Sequence, residues 1–174
     1  FVEPLKTGAG RYLAMFHDDG RFYSAQPALT QPVTFTLYQT TSDDGGRSWS
    51  APETVWKGTD VHLCEPGCIR SPDGRQLAVL LRENSRRKNS HVIFSNDEGK
   101  SWSTPVRVKS IITDGAKTWG QRNDDGRYAI VYNPANFGSH RWPLAVATGE
   151  DGILFENMLL INGEVSPRRF FGRA

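Results

Sequence analysis

The sequence predicts an all-β chain made of three copies of one four-stranded antiparallel unit. Two observations carry this: a turn motif that returns at a fixed period, and apolar runs of strand length between its copies. Ser42-Asp43-Asp44-Gly45-Gly46-Arg47-Ser48-Trp49 and Ser95-Asn96-Asp97-Glu98-Gly99-Lys100-Ser101-Trp102 both read Ser-x-Asp-x-Gly-x-Ser-Trp. A worn third copy is Thr148-Gly149-Glu150-Asp151-Gly152-Ile153-Leu154-Phe155, with Thr for Ser, Glu for Asp and Phe for Trp. The starts at 42, 95 and 148 give a period of 53 residues, within the range where a period means stacked repeats.

A second marker runs beside the first. Asp19-Gly20-Arg21, Asp73-Gly74-Arg75 and Asp125-Gly126-Arg127 place arginines at 21, 75 and 127, which precede the boxes by 21, 20 and 21 residues. Each triplet is expected to be a turn followed by a strand, as in Leu77-Ala78-Val79-Leu80-Leu81 and Tyr128-Ala129-Ile130-Val131-Tyr132. Such continuous apolar runs read as strands covered on both faces. Strands leading into the boxes are expected at 33–40, 91–94 and 144–147, and short strands after them at 106–108 and 158–161. With a preceding strand such as 61–69, each unit holds four strands in about 53 residues, the size of one β-propeller blade. The expected blades are 1–57, 58–110 and 111–174, with no helix.

Composition agrees. Only 37% of the 174 residues are hydrophobic, while Gly (17) and Pro (10) are plentiful, which suits short strands and tight turns. A net charge of +2 gives no ground for nucleic-acid binding, and no apolar stretch approaches the roughly 18 residues of a membrane span. The start, FVEPLKTGAG, lacks a basic region followed by an apolar one, and reads like the interior of a longer protein. Cys64 and Cys68 lie four apart in an expected strand; at about 3.3 Å per residue their Cα atoms stand roughly 13 Å apart, too far for a disulfide. Two buried free thiols are expected.

Within each box the Asp accepts turn amides, the Gly permits a positive φ, and the Trp or Phe buries its ring between sheets. The structural set is therefore Ser42, Asp44, Gly46 and Trp49, then Ser95, Asp97, Gly99 and Trp102, then Gly152 and Phe155.

These boxes between strands resemble the Asp-box, or BNR, repeats of sialidases and related propellers. The resemblance implies a sialidase-type propeller, six-bladed when complete, whose other blades come from the same protein or from another copy of this chain. It also implies a glycan substrate and secretion or a periplasmic location. A narrower likeness lies in His62-Leu63-Cys64-Glu65-Pro66-Gly67-Cys68-Ile69-Arg70 with Leu80-Leu81-Arg82-Glu83-Asn84, which is similar to a stretch of bacterial sialidase-like proteins. There a glutamate polarises a tyrosine nucleophile and an arginine on the next strand grips the sugar carboxylate. Glu65 would take the first role and Arg82 the second. The chemistry suits the residue types: an arginine fork matches a carboxylate, and a tyrosine nucleophile needs a base. The alternative for Arg82 is a salt bridge with Glu83 or Glu65. The family's Arg-Ile-Pro segment is absent, and none of the tyrosines is assignable as nucleophile.

The remaining candidates carry two readings each. His62 is either a general acid–base or structural. Trp119 either stacks on a sugar or is buried. Arg122 either binds substrate or, because it stands three residues before its Asp-Gly-Arg as Arg70 does, belongs to the scaffold. Arg86-Arg87-Lys88 reads as a solvated loop tip. Lys117-Thr118-Trp119-Gly120-Gln121-Arg122 and Tyr132-Asn133-Pro134 look like propellers acting on rhamnose-capped or uronate-containing plant glycans. Hence the expected function is exo-hydrolysis of a terminal acidic sugar, needing neither metal nor organic cofactor. A polysaccharide lyase, a rhamnosidase-like enzyme and a non-catalytic carbohydrate-binding propeller are the alternatives.

Overall fold

The computed structural model describes residues 4–23, 32–85, 89–109, 119–134 and 143–162. Among them are twelve strands in three four-stranded antiparallel sheets, and no helix. The first sheet is β1 (Leu5–Lys6), β2 (Tyr12–Asp18), β3 (Phe35–Ser42) and β4 (Glu53–Gly58). The second is β5 (Leu63–Arg70), β6 (Leu77–Glu83), β7 (His91–Ser95) and β8 (Val106–Arg107). The third is β9 (Trp119–Arg122), β10 (Tyr128–Tyr132), β11 (Leu144–Gly149) and β12 (Glu156–Asn162). In each sheet every strand pairs with the next in sequence, so each is a meander, the form that tight antiparallel turns allow. The blade is thus the folding unit that the 53-residue period encodes.

Each boundary between blades is one hydrophobic cluster. Met15 and Leu37 of the first blade meet Leu63, Val79, Leu81 and Ile93 of the second. On its other face the second blade gives Ile69, Ala78, Leu80 and Val92 to Tyr128 and Ile130 of the third. Strand β6 feeds both, because successive side chains point to opposite faces: all of Leu77 to Leu81 are buried. In β10 only Tyr128, Ile130 and Tyr132 are buried, while Ala129 and Val131 are half-exposed. Two-sided cover, expected of both runs, therefore holds for β6 and not for β10. The Tyr128 hydroxyl adds a tie across the second boundary by donating to the Arg70 carbonyl.

The boxes form the β3–β4 and β7–β8 turns. Asp44 Oδ1 accepts the amides of Arg47 and Ser48, each at 2.9 Å, and Oδ2 accepts the Ser48 hydroxyl at 2.6 Å. Ser42 Oγ donates to Asp44 and accepts the Gly46 amide, and Gly46 has φ of 89°. Ser95, Asp97, Gly99 and Ser101 repeat these bonds, except that the Lys100 amide, in the place of Arg47, donates to the Asp97 carbonyl.

The third turn corrects the expectation. The 53-residue period places Glu150 at the box carboxylate, but Asp151, one residue later, accepts the amides of Ile153 and Leu154 at 2.8 Å. Those two occupy the positions of Arg47 and Ser48. The shorter side chain one step closer reaches the same amides. Asp151→Ala is expected to lower the melting temperature by a few degrees, and Glu150→Ala by much less. Equal losses would return the role to Glu150.

The second marker also needs correcting. Asp73-Gly74-Arg75 and Asp125-Gly126-Arg127 do close β5–β6 and β9–β10, where Ser71 N–H donates to Gln76 O and Asn123 N–H to Arg127 O. In the first blade the matching bonds belong to Thr7-Gly8-Ala9-Gly10-Arg11: Thr7 N–H donates to Arg11 O, and Gly10 N–H to Thr7 O. Asp19-Gly20-Arg21 instead follows β2, at the opposite end of the blade. A turn of this type needs a glycine at positive φ, which Gly10 supplies at 79°, and does not require Asp.

Two carboxylates of the turns, Asp44 and Asp97, are held down to about 2, chiefly by the hydroxyls of Ser48 and Ser101. Glu98 falls to about 2 through its fork with Arg70. A folded-state pKa below the unfolded one contributes stability that is complete above the unfolded value and is lost as pH falls through the folded one. The urea midpoint is therefore expected to hold down to about pH 4.5 and to fall from there to about pH 2. Asp97→Asn with Glu98→Gln should flatten that fall; an unchanged slope would place acid sensitivity elsewhere.

Candidate active site

Strand β5 touches β2 and β3 on one side and β9 on the other, so its residues face the place where the blades converge. Near its start the ladder is irregular. Cys64 pairs with Arg82 and Gly67 with Leu80, so Glu65 and Pro66 together oppose Leu81. This two-against-one arrangement is a β-bulge. A proline is tolerated at a bulge because no ladder donor is lost there.

The bulge determines what Glu65 meets. In an unbroken ladder Glu65 would stand opposite Leu81 and point to the face away from Arg82. Instead its φ is 48°, and its Oε2 accepts from Arg82 Nη1 at 2.9 Å. The Arg82 side chain is 10% exposed and that of Glu65 30%. Arg82 Nε is buried and has no acceptor among the described residues.

Glu83, the other partner weighed for Arg82, lies on the opposite face of β6. Its carboxylate accepts the His62 and Ser85 amides and the Ser85 hydroxyl, shaping the loop that leaves β6. The His62 ring packs on Phe35, with centroids 4.6 Å apart and planes 15° apart. His17, at the end of β2, lies nearly parallel to the same Phe35 at 6.2 Å. Its Nδ1 accepts the Glu65 amide at 3.2 Å. Burial, with Arg82 acting in the same direction, lowers the His17 pKa against the carboxylates of Glu65 and Asp19, which raise it. Asp18 and Asp19 hold the loop after β2 through the Phe22 amide and Arg21.

The structure thus brings Glu65 and Arg82 together and adds His17, while the His62 ring is placed only against Phe35. Arg122 stands apart, at the turn end of the third blade: its Nε donates to Gly126 O, as Arg70 Nη1 does to Gly74 O. Trp119 opens β9, and its side chain lies outside the described residues, as do Arg86-Arg87-Lys88 and Lys117-Thr118. Cys64 and Cys68 are both free; Cys64 is buried and Cys68 half-buried. Burial pushes both thiols up to about 12, which leaves them inert as nucleophiles.

Of the three expected ring staples, Trp102 crosses to the first blade, its Nε1 donating to Gln39 Oε1 at 2.7 Å, and Phe155 packs on the second boundary cluster. Trp49 does not fit: it is 39% exposed and donates to Gly46 of its own turn. The ring of each box reaches toward the preceding blade, and none precedes the first among the described residues.

The profile of the BNR repeat-like domain matches residues 10–166. The chain belongs to this family. No curated protein matches it. Among solved structures, a Dyadobacter fermentans protein of unknown function aligns with 94% of this chain and 42% of its own, at TM-score 0.66 and 15% identity. An N-acetylgalactosamine deacetylase from F. plautii aligns over 88% and 50%, at 0.60 and 14%. A leech intramolecular trans-sialidase aligns over 74% and 19%, at 0.53 and 23%. These identities speak for the fold: the three sheets are blades of a sialidase-type propeller. This BNR repeat-like chain spans between 19% and 50% of the length of those three structures.

Proposed function

We propose that this BNR repeat-like chain carries part of the site of a sialidase-like exo-glycosidase that removes a terminal acidic sugar. Arg82 supports the reading most directly. A guanidinium has five donors; here one faces Glu65, and Nε is buried with no acceptor among the described residues. The side chain keeps 10% of its surface exposed beside Glu65, and a sugar carboxylate is the acceptor whose geometry matches such a fork.

Glu65 is the base. Held beside Arg82 by the bulge, it takes a proton from a tyrosine nucleophile supplied by another part of the propeller, as sialidases do in departing from the two-carboxylate scheme. The hydrolase reading is tested by incubating the assembled propeller, this chain together with the blades that supply the tyrosine, with oligosaccharides capped by acidic or neutral sugars. Release of the acidic sugar, with no ultraviolet-absorbing double bond, is expected. An unsaturated product would make it a lyase, and binding without release a carbohydrate-binding propeller; either result overturns the proposal.

A further inference from the structure

We infer that His17 is the positioning residue of this site. By accepting the Glu65 amide across the boundary between two blades, it holds the β5 bulge and, through it, the Glu65–Arg82 pair.

The bulge needs such a support. A non-glycine residue in the left-handed region is strained and persists only where its surroundings over-determine it. In bulges of this kind the left-handed position usually falls to glycine, yet Glu65 occupies it. Removed from the regular ladder, the Glu65 amide also needs an acceptor. Pro66 has no amide to satisfy. His17 supplies the acceptor from 48 residues away in sequence, and its ring is itself fixed against Phe35. A regular strand end would need no imidazole there.

The bond also fixes the state of the ring. With Nδ1 accepting, a neutral imidazole carries its proton on Nε2. Protonation turns Nδ1 into a donor facing another donor, and the bond is lost. The ionisable groups around the ring act in both directions: Glu65 and Asp19 favour its protonation, and Arg82 opposes it. His62 lies against the same Phe35. Burial is the largest influence and holds the ring neutral. The bulge is therefore set at neutral pH and released in acid.

The inference rests on Glu65 and Arg82 forming the site, but its test needs no glycan, so its failure is separable from failure of the hydrolase reading. The probe is the Glu65 backbone amide, followed by nitrogen-15 NMR shift and hydrogen exchange between pH 7.5 and 4.5. In the native chain the shift should move with the His17 ring, with a midpoint below the usual imidazole value of 6.5. In His17→Asn, whose Oδ1 accepts in place of Nδ1, exchange should stay slow and the titration should vanish. In His17→Ala, exchange at Glu65 should be at least tenfold faster than in the native chain at pH 7.5, and the difference should close toward pH 4.5 as the native bond is lost, with Val79 of β6 still protected as the sign of an intact blade. A Glu65 amide indifferent to His17→Ala, or a titration that survives in His17→Asn, would overturn the inference.

Discussion

Replacing Arg82 by alanine is expected to raise the apparent KM for an acidic glycan by roughly 30- to 1000-fold. Truncating one partner of a buried charged contact costs about 2–4 kcal/mol, and each 1.36 kcal/mol is a factor of ten. The blade should survive, because the residues that build it, Leu77 to Leu81, are untouched and buried on both faces. Glu65 loses its partner, but its side chain is 30% exposed, so water takes up part of the deficit. Arg82→Lys should recover only a little, since an ammonium cannot reproduce the fork. Steady-state kinetics beside circular dichroism separates the two effects. If turnover is untouched while the fold is kept, Arg82 is not a ligand.

The largest stability effect is expected at Trp102. Its ring joins the cluster between the first two blades, and its Nε1 bonds Gln39, which is 7% exposed. Trp102→Ala removes the ring and leaves the Gln39 carbonyl without that donor. A loss of about 3 kcal/mol is expected, or a fall in Tm of roughly 6–12 °C for a chain of this length. Trp49 fills the same place in an identical motif, yet Trp49→Ala should cost less than about 1 kcal/mol, because its exposed ring bonds only its own turn. Thermal melts of the two variants would tell the motif from the stacking. Equal losses would show that the ring serves its turn and not the boundary.

Most of the fold was legible because its signals are local. The box sets a turn by its own side chains, and β6 announces two covered faces by five apolar residues in a row. Two misreadings came from treating composition as geometry. Asp19-Gly20-Arg21 matches the other triplets in letters and spacing, yet the turn it was expected to make is built by Thr7 to Arg11. Glu150 matches the box carboxylate by position, but Asp151 reaches the amides. Both errors have one physical cause: such turns need a positive φ and an acceptor within reach, and several residues can provide each.

The site divides in the same way. That Glu65 and Arg82 lie on adjacent strands followed from their separation, and their roles from the resemblance. The bulge that makes them meet did not, since alternation alone places them on opposite faces. His17 left no signal beyond its place near a strand end, because its partner lies in the next blade. Contacts between blades join residues whose spacing no local pattern records.

Carboxylate recognition by Arg82 is the proposal on which the glycosidase reading rests. Its test is calorimetric titration of the protein with a sialylated oligosaccharide and with the methyl ester of the same compound, in the native chain and in Arg82→Gln. The native chain should bind the acid at least tenfold more tightly than the ester, and Arg82→Gln should abolish the difference. Equal affinity of the native chain for acid and ester would contradict the account.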